Sequence, residues 1–199
     1  MKKFLFVALS LSMMISNAQQ KNSTKSGYWQ QHADYTMNID VDVKKYQYKG
    51  TQKLVYTNNS PDALNKVFYH LYFNAFQPDS EMDARLQSIA DPDGRMVTKS
   101  GTKEKPVVKS RIAALSPDEI GFIKVRTLKQ NGVNVSYKVE GTVLEVKLNK
   151  SILPGEKVTF DMVFDAQVPV QIRRSGRNSK EGVALSMAQW YPKIAEYDF

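Results

Sequence analysis

Residues 35–43 read YTMNIDVDV. Met37, Ile39, Val41 and Val43 fall on one side of an extended chain, and Thr36, Asn38, Asp40 and Asp42 on the other. Successive side chains of a strand point to opposite faces, so this alternation is the pattern of a half-buried strand. Lys44-Lys45 ends it. The next stretch, YQYKGTQKLVYTN, is rich in Tyr, Val and Thr and reads as a hairpin partner, with Gly50 marking a bulge or bend.

Working outward, NNSPDAL is a turn cluster, and KVFYHLYFNAF after it is almost wholly apolar, which predicts a strand covered on both faces. Asp79 or Ser80 is placed to cap a short helix over SEMDARLQSIA, with Asp83 in its first turn, and DPDG ends it. From Asp91 to Ser116 the composition turns polar. This reads as a long connection with one short strand in PVVKSRIAAL. Four further strands follow in IGFIKVRTL, VNVSYKV, TVLEVKLN and EKVTFDMVFDAQV, joined by turns at Asn131-Gly132, Glu140-Gly141 and LPGE. Val158, Phe160, Met162 and Phe164 share one face of the last. A loop, PVQIRRSGRNSKEG, leads to a final strand, VALSMAQWY. Roughly eight strands at hairpin spacing make an all-β domain: a saddle-shaped β-sandwich or curved open antiparallel sheet with at most one short helix.

The two ends of the chain differ from this middle. Lys2 and Lys3 precede the apolar run FLFVALSLSMMI and the small residues Ser16-Asn17-Ala18. Residues 1–18 are therefore expected to be a signal peptide, 19–27 a mobile leader, and 28–199 the β-domain. Localisation is expected to be exported, periplasmic or extracellular. The apolar run is too short to span a bilayer, so no membrane partner is expected once it is removed. The chain holds no cysteine, so a core alone must stabilise it, without disulfides. Basic residues outnumber acidic ones, 28 to 20, but spread along the chain apart from Arg173, Arg174 and Arg177; a solvated surface is implied, and no nucleic acid. At the other end, Trp190, Tyr191, Tyr197 and Phe199 crowd the last ten residues.

The catalytic inventory is thin. His32 and His70 have no second ligand at metal-binding spacing, and no H-E-x-x-H occurs. Thiol chemistry has no cysteine, and no G-x-S-x-G elbow is present. Asp91 and Asp93 in DPDGR lack the later ligands of a calcium loop and read as an Asx turn. Asp40 and Asp42 sit on an exposed strand face, where carboxylates solubilise. The residues by themselves describe an exported all-β domain without a catalytic or metal site of its own, and leave open a free-standing β-sandwich module that binds sugar or peptide through exposed aromatics.

Three stretches together resemble a known family. KVFYHLYFNAF is similar to a strand of exported bacterial zinc aminopeptidases, relatives of aminopeptidase N and leukotriene hydrolase. LPGEKVTFDMVF resembles a later turn and strand of the same N-terminal domain, and PVQIRRSGR with GVALSMAQWYPKIAEYD resembles its hand-over to the catalytic part. The resemblance implies a saddle-shaped N-terminal β-domain packed on a thermolysin-like catalytic domain that this chain lacks, as in a fragment or truncated product. It implies zinc in the intact enzyme, with none held here, and a peptide substrate. The family places a polar side chain for the substrate's α-amino group on the segment before the catalytic domain. Here that position falls on Gln189, or on Ser186 in a shifted registration. Trp190, Tyr191, Tyr197 and Phe199 would then be interdomain contacts, half of a joint whose other half lies elsewhere.

Overall fold

The computed structural model of the chain describes residues 27–170, 172, 175–179 and 181–198. The expected signal peptide, the leader up to residue 26, Arg173, Arg174 and Phe199 lie outside the described residues. In chain order the elements are β1 (His32–Asp42), β2 (Gln47–Thr57), β3 (Leu64–His70), α1 (Glu81–Ser88), β4 (Val97–Gly101), β5 (Pro106–Ser110), β6 (Phe122–Gln130), β7 (Val133–Asn134), β8 (Ser136–Glu140), β9 (Val143–Ile152), β10 (Lys157–Gln167), β11 (Gly176–Arg177), β12 (Leu185–Ser186) and β13 (Lys193–Ile194). The fold is all-β. One sheet has the order β1-β2-β10-β6-β7 and the other β13-β3-β9-β8.

Alternation explains how the two sheets meet. On β2, Tyr48, Leu54 and Tyr56 point inward and are buried, while Lys49, Thr51 and Lys53 face water. On β10, Val158, Phe160, Met162 and Phe164 do the same, the face read from the sequence. Val67 and Tyr69 of β3 and Leu144 and Val146 of β9 close on them from the second sheet to form one core. The ring edge of Tyr69 meets Phe160 across that core, centroids 6.3 Å apart and planes at 87°. The outer face of the first sheet carries a ladder of alternating charge. Asp40 stands opposite Lys49, Lys49 opposite Asp165, and Asp165 opposite Lys124. Lys53 and Lys129 flank Asp161 in the same manner. Opposite charges on adjacent strands attract, so the exposed face reinforces the register that the buried face sets.

Several sequence expectations are corrected. Gly50 marks neither a bulge nor a bend, because β2 pairs in unbroken register with β1 and with β10. A Cβ there would lie 2.3 Å from Phe164 Cζ and 2.9 Å from Ile39 Cδ1: glycine is where the Phe164 ring crosses the strand. The irregularity lies on β6, which slips by one residue opposite Val163 and Phe164. The run KVFYHLYFNAF is a strand only to His70. It then tightens into a 3-10 turn over Tyr72–Ala75 that buries Phe73. Only one face of β3 is buried, with Phe68 and His70 half-exposed on the other. Val41 and Val43 are exposed, since β1 is an edge strand and its inner face outruns the second sheet. The polar connection holds two strands, β4 and β5, paired as a hairpin. The final strand shrinks to the two-residue β12, and β13 follows it.

The short helix forms as its cap predicts. Ser80 Oγ accepts from Asp83 N–H at 3.2 Å, and the Asp83 carboxylate accepts from Asp79 N–H at 3.0 Å, so each residue satisfies a donor the first turn leaves open. Leu86 and the partly buried Met82 face a second, smaller core with Met96, Val97, Ile112 and Ile172. No helix among the described residues is long and apolar enough to cross a membrane.

Two predictions follow from this packing. Gly50→Val forces a branched side chain into the Phe164 ring and is expected to cost about 3 kcal/mol of stability by urea unfolding, the upper part of the range for overpacking; an unchanged midpoint would show that the ring has room to move. Burial pushes the Tyr56 hydroxyl up to about 12 and raises Tyr35, Tyr48 and Tyr69 as well. An unfolded tyrosine ionises near 10, so the stability these groups contribute is complete below about pH 10 and is lost as pH climbs toward 12. Urea midpoints measured on either side of pH 10 should fall steeply on the alkaline side only.

Candidate functional site

The C-terminal segment does not hang free. It crosses the end of the sandwich and is fastened to both sheets. β12 pairs with β11, and just beyond it Ser175 Oγ accepts from Ala188 N–H at 2.8 Å and donates to the Ala188 carbonyl at 2.6 Å. Next, the Tyr48 hydroxyl of β2 donates to the Trp190 carbonyl. Farther on, Ile194 N–H donates to the Tyr35 hydroxyl at 2.9 Å, and β13 pairs with the end of β3, Lys193 opposite His70.

Aromatic rings follow the same path. Trp190 meets Tyr48 edge-on at 5.9 Å and Tyr191 at 5.1 Å, and Tyr191 meets Tyr35 at 5.4 Å. Each such pair adds about 0.5–1.5 kcal/mol beyond the area it buries. Trp190 and Tyr191 are therefore half-buried against their own domain rather than standing bare. Tyr197 is different. It is 43% exposed, lies 5.3 Å from Trp29, and donates to Asp62 Oδ2 at 2.7 Å, a bond that with some burial raises its pKa.

Gln189 sits between the two fastened carbonyls, Ala188 and Trp190. Its backbone is held at φ +57°, in the left-handed region, and its side chain is exposed. Among the described residues five non-glycine residues have positive φ; three are Asp or Asn, which tolerate that region, and the others are Tyr46 and Gln189. Gln189 borders a hollow of about 310 Å³ lined by Tyr72, Phe76, Met82 and Met96. The hollow thus lies between the 3-10 turn, α1 and the C-terminal segment. The sequence singled out Gln189 but not Ser175, which aims it, nor the lining residues. Their apolar character is visible in the sequence, their convergence is not. Ser186, the other registration, is half-buried on β12.

The remaining sequence candidates are scattered. His32 is exposed at the start of β1, 3.0 Å from Asp34. His70 ends β3 in the other sheet, stacked on Tyr72 at 4.9 Å, its pKa lowered by burial and by Lys193. Asp42 accepts from the N–H groups of Lys44 and Lys45, closing the β1–β2 turn, and Asp40 belongs to the charge ladder. Asp93 accepts from Arg95 N–H at 3.0 Å in the Asx turn that the sequence suggested. Arg177 is 8% exposed, lies over the Tyr46 ring at 4.4 Å and donates to the Asp118 carbonyl, so it braces the β11 loop. Among the described residues no three His, Cys, Asp or Glu side chains are grouped to hold a metal ion.

No protein-family model and no curated protein matches this chain. Among solved structures, it is similar to the M1 zinc metallopeptidase of Deinococcus radiodurans. A mutant of that enzyme bound to a Tyr-Ser-Ala substrate is 12% identical, with a TM-score of 0.46, 81% of this chain matched and 29% of the other. The unsubstituted enzyme is 12% identical, with a TM-score of 0.45, 81% of this chain and 28% of the other. A two-domain M1 zinc metallopeptidase mutant bound to L-tryptophan is 13% identical, with a TM-score of 0.44, 85% of this chain and 30% of the other. The chain spans less than a third of the length of these structures. At this identity and TM-score the likeness is one of β-architecture and carries no functional inference.

The clasp at Trp190 is open to test. Tyr48→Phe keeps the ring but removes the donor to the Trp190 carbonyl, and should cost about 1–2 kcal/mol. Tryptophan emission should shift to the red as the ring gains water. Emission identical to the parent chain would mean that ring packing alone holds the segment.

Proposed function

We propose that this chain is a non-catalytic β-domain of an exported zinc aminopeptidase-type metallopeptidase, which packs on a catalytic domain and presents Gln189 to the α-amino group of a peptide. The observation that carries this reading is the Gln189 backbone. An L side chain in the left-handed region costs about 1–3 kcal/mol and persists only where its surroundings over-determine it. Here Ser175 holds the residue before it and Tyr48 the residue after it, and the exposed Gln189 borders a hollow of mixed polar and apolar lining. Of the three stretches that carry the family resemblance, the third, with GVALSMAQWYPKIAEYD, contains this segment.

The chemistry asked of Gln189 is modest. Its Oε1 accepts a hydrogen bond from the ammonium group at a peptide's N-terminus, while the hollow takes the first side chain. A neutral acceptor orients the ammonium without trapping it as a carboxylate would. Zinc, when held by the catalytic domain of such an enzyme, supplies an activated water for attack on the peptide bond. Among the described residues no three His, Cys, Asp or Glu side chains are grouped to hold that metal, so no step here runs through it. The interdomain contact falls on Tyr197 beside Trp29, with the outer edges of Trp190 and Tyr191 contributing what their own core leaves uncovered.

The test uses nuclear magnetic resonance on the chain labelled with nitrogen-15. A tripeptide with a free amino terminus should shift the Gln189 side-chain amide, and its N-acetylated counterpart should not. Gln189→Ala should erase the distinction. Equal shifts from both peptides would refute the role of Gln189, and zinc-dependent hydrolysis of an aminoacyl-nitroanilide by this chain alone would refute the non-catalytic reading.

A further inference from the structure

The β4–β5 hairpin is absorbed by neither the sandwich nor the Gln189 site. Residues 95–111, RMVTKSGTKEKPVVKSR, hold six cationic residues against one acidic one, whereas the whole chain holds 28 against 20. Every residue from Thr98 to Lys109 is exposed. The base is anchored by Met96, Val97 and Ile112 in the smaller core, so the ribbon beyond it projects as an arm.

Its tip is built. Gly101 has φ +85°, and a Cβ there would lie 2.4 Å from the Lys105 carbonyl; Lys105 N–H donates to Thr102 Oγ1 at 3.1 Å. A loop serving only as a tether would not need that closure. The two basic residues at the base are engaged, Arg95 with Asp93 at 2.5 Å and Arg111 through the Arg95 carbonyl at 2.6 Å. Lys99, Lys103, Lys105 and Lys109 form no ion pair among the described residues. In the strand register of the first sheet, Lys49, Lys53, Lys124 and Lys129 each stand opposite an aspartate. Residues 98–109 carry four lysines against one acid, Glu104, a denser cationic excess than the chain as a whole.

We propose that the arm docks the protein onto an anionic lipid surface. The register places Lys99 opposite Val108 on one face, and Lys109 with Val107 on the other, while Lys103, Lys105 and Pro106 cap the end. Val107 is 43% and Val108 37% exposed. A cationic tip with a part-exposed valine on each face below it suits contact with a headgroup layer, where each lysine near the surface is attracted to the acidic lipids. Single-stranded nucleic acid fits less well, since the arm carries no aromatic ring on which a base could stack.

The experiment is co-sedimentation of the full chain with vesicles of phosphatidylglycerol mixed with phosphatidylcholine, and with phosphatidylcholine alone. Binding is expected only to the anionic vesicles, and should vanish between about 50 mM and about 500 mM salt as the Debye length shrinks. Replacing the four lysines together (Lys99→Gln, Lys103→Gln, Lys105→Gln, Lys109→Gln) should weaken partitioning more than about a hundredfold, the combined loss of four such attractions. The control removes the same charge from the sheet face (Lys49→Gln, Lys53→Gln, Lys124→Gln, Lys129→Gln) and should retain binding. Equal loss in the control would reduce the effect to net charge and overturn the proposal. So would indifference to salt, or capture of polyglutamate or DNA at a salt concentration where the vesicles are ignored.

Discussion

β2 is the strand on which this molecule turns. All eleven of its residues pair with β1 on one side and with β10 on the other, without a slip in either ladder. That double pairing fixes which β2 side chains face the second sheet, and three of those residues then do separate jobs. Leu54 fills the core, Gly50 leaves space for the Phe164 ring, and Tyr48 reaches beyond the sheet to hold the Trp190 carbonyl. A shift of one residue would turn Tyr48 to water and Lys49 to the core, unfastening the C-terminal segment and burying a charge together. The position of Gln189 is thus set more than a hundred residues upstream.

What the sequence made legible was whatever obeys a period. β1, β2, β6, β8, β9 and β10 are long enough for alternation to appear, and the helix announces itself through Ser80 and Asp83. KVFYHLYFNAF has no such period to read. A continuous apolar run is compatible with a strand or with a tighter turn, and the 3-10 turn at Tyr72–Ala75 is settled by tertiary contacts: Asn74 Oδ1 accepts from Ile123 N–H at 2.8 Å, far along the chain. β11, β12 and β13 have two residues each, less than one period of alternation. Gly50 is the instructive case. Its local signature is that of a bulge, and its cause is a ring 114 positions later.

The candidate site was half legible for the same reason. Gln189 was reached through motif resemblance, and it is exposed. Its left-handed backbone, and Ser175 beside it, come from the meeting of two loops that no local pattern encodes. The terminal rings illustrate the converse. Their density suggested burial against a neighbour, yet Trp190 and Tyr191 pack on Tyr48 and Tyr35 within the same domain, while Tyr197 stays exposed beside Trp29.

Charge separates the two exposed faces of the molecule into different physical objects. On the sheet, Lys49 stands opposite Asp40 and Asp165, Lys53 and Lys129 opposite Asp161, and Lys124 opposite Asp165, so opposite signs alternate across the strands. A second molecule approaching that face meets alternating signs that cancel within a few ångströms. On the arm a single acid, Glu104, stands against four lysines, and the potential of that excess on a narrow ribbon extends as far as salt allows, about 10 Å at 0.1 M ionic strength. The two surfaces therefore differ little in the number of lysines they show and greatly in the field they project. Gln189, neutral and bordering a hollow, belongs to neither charged surface.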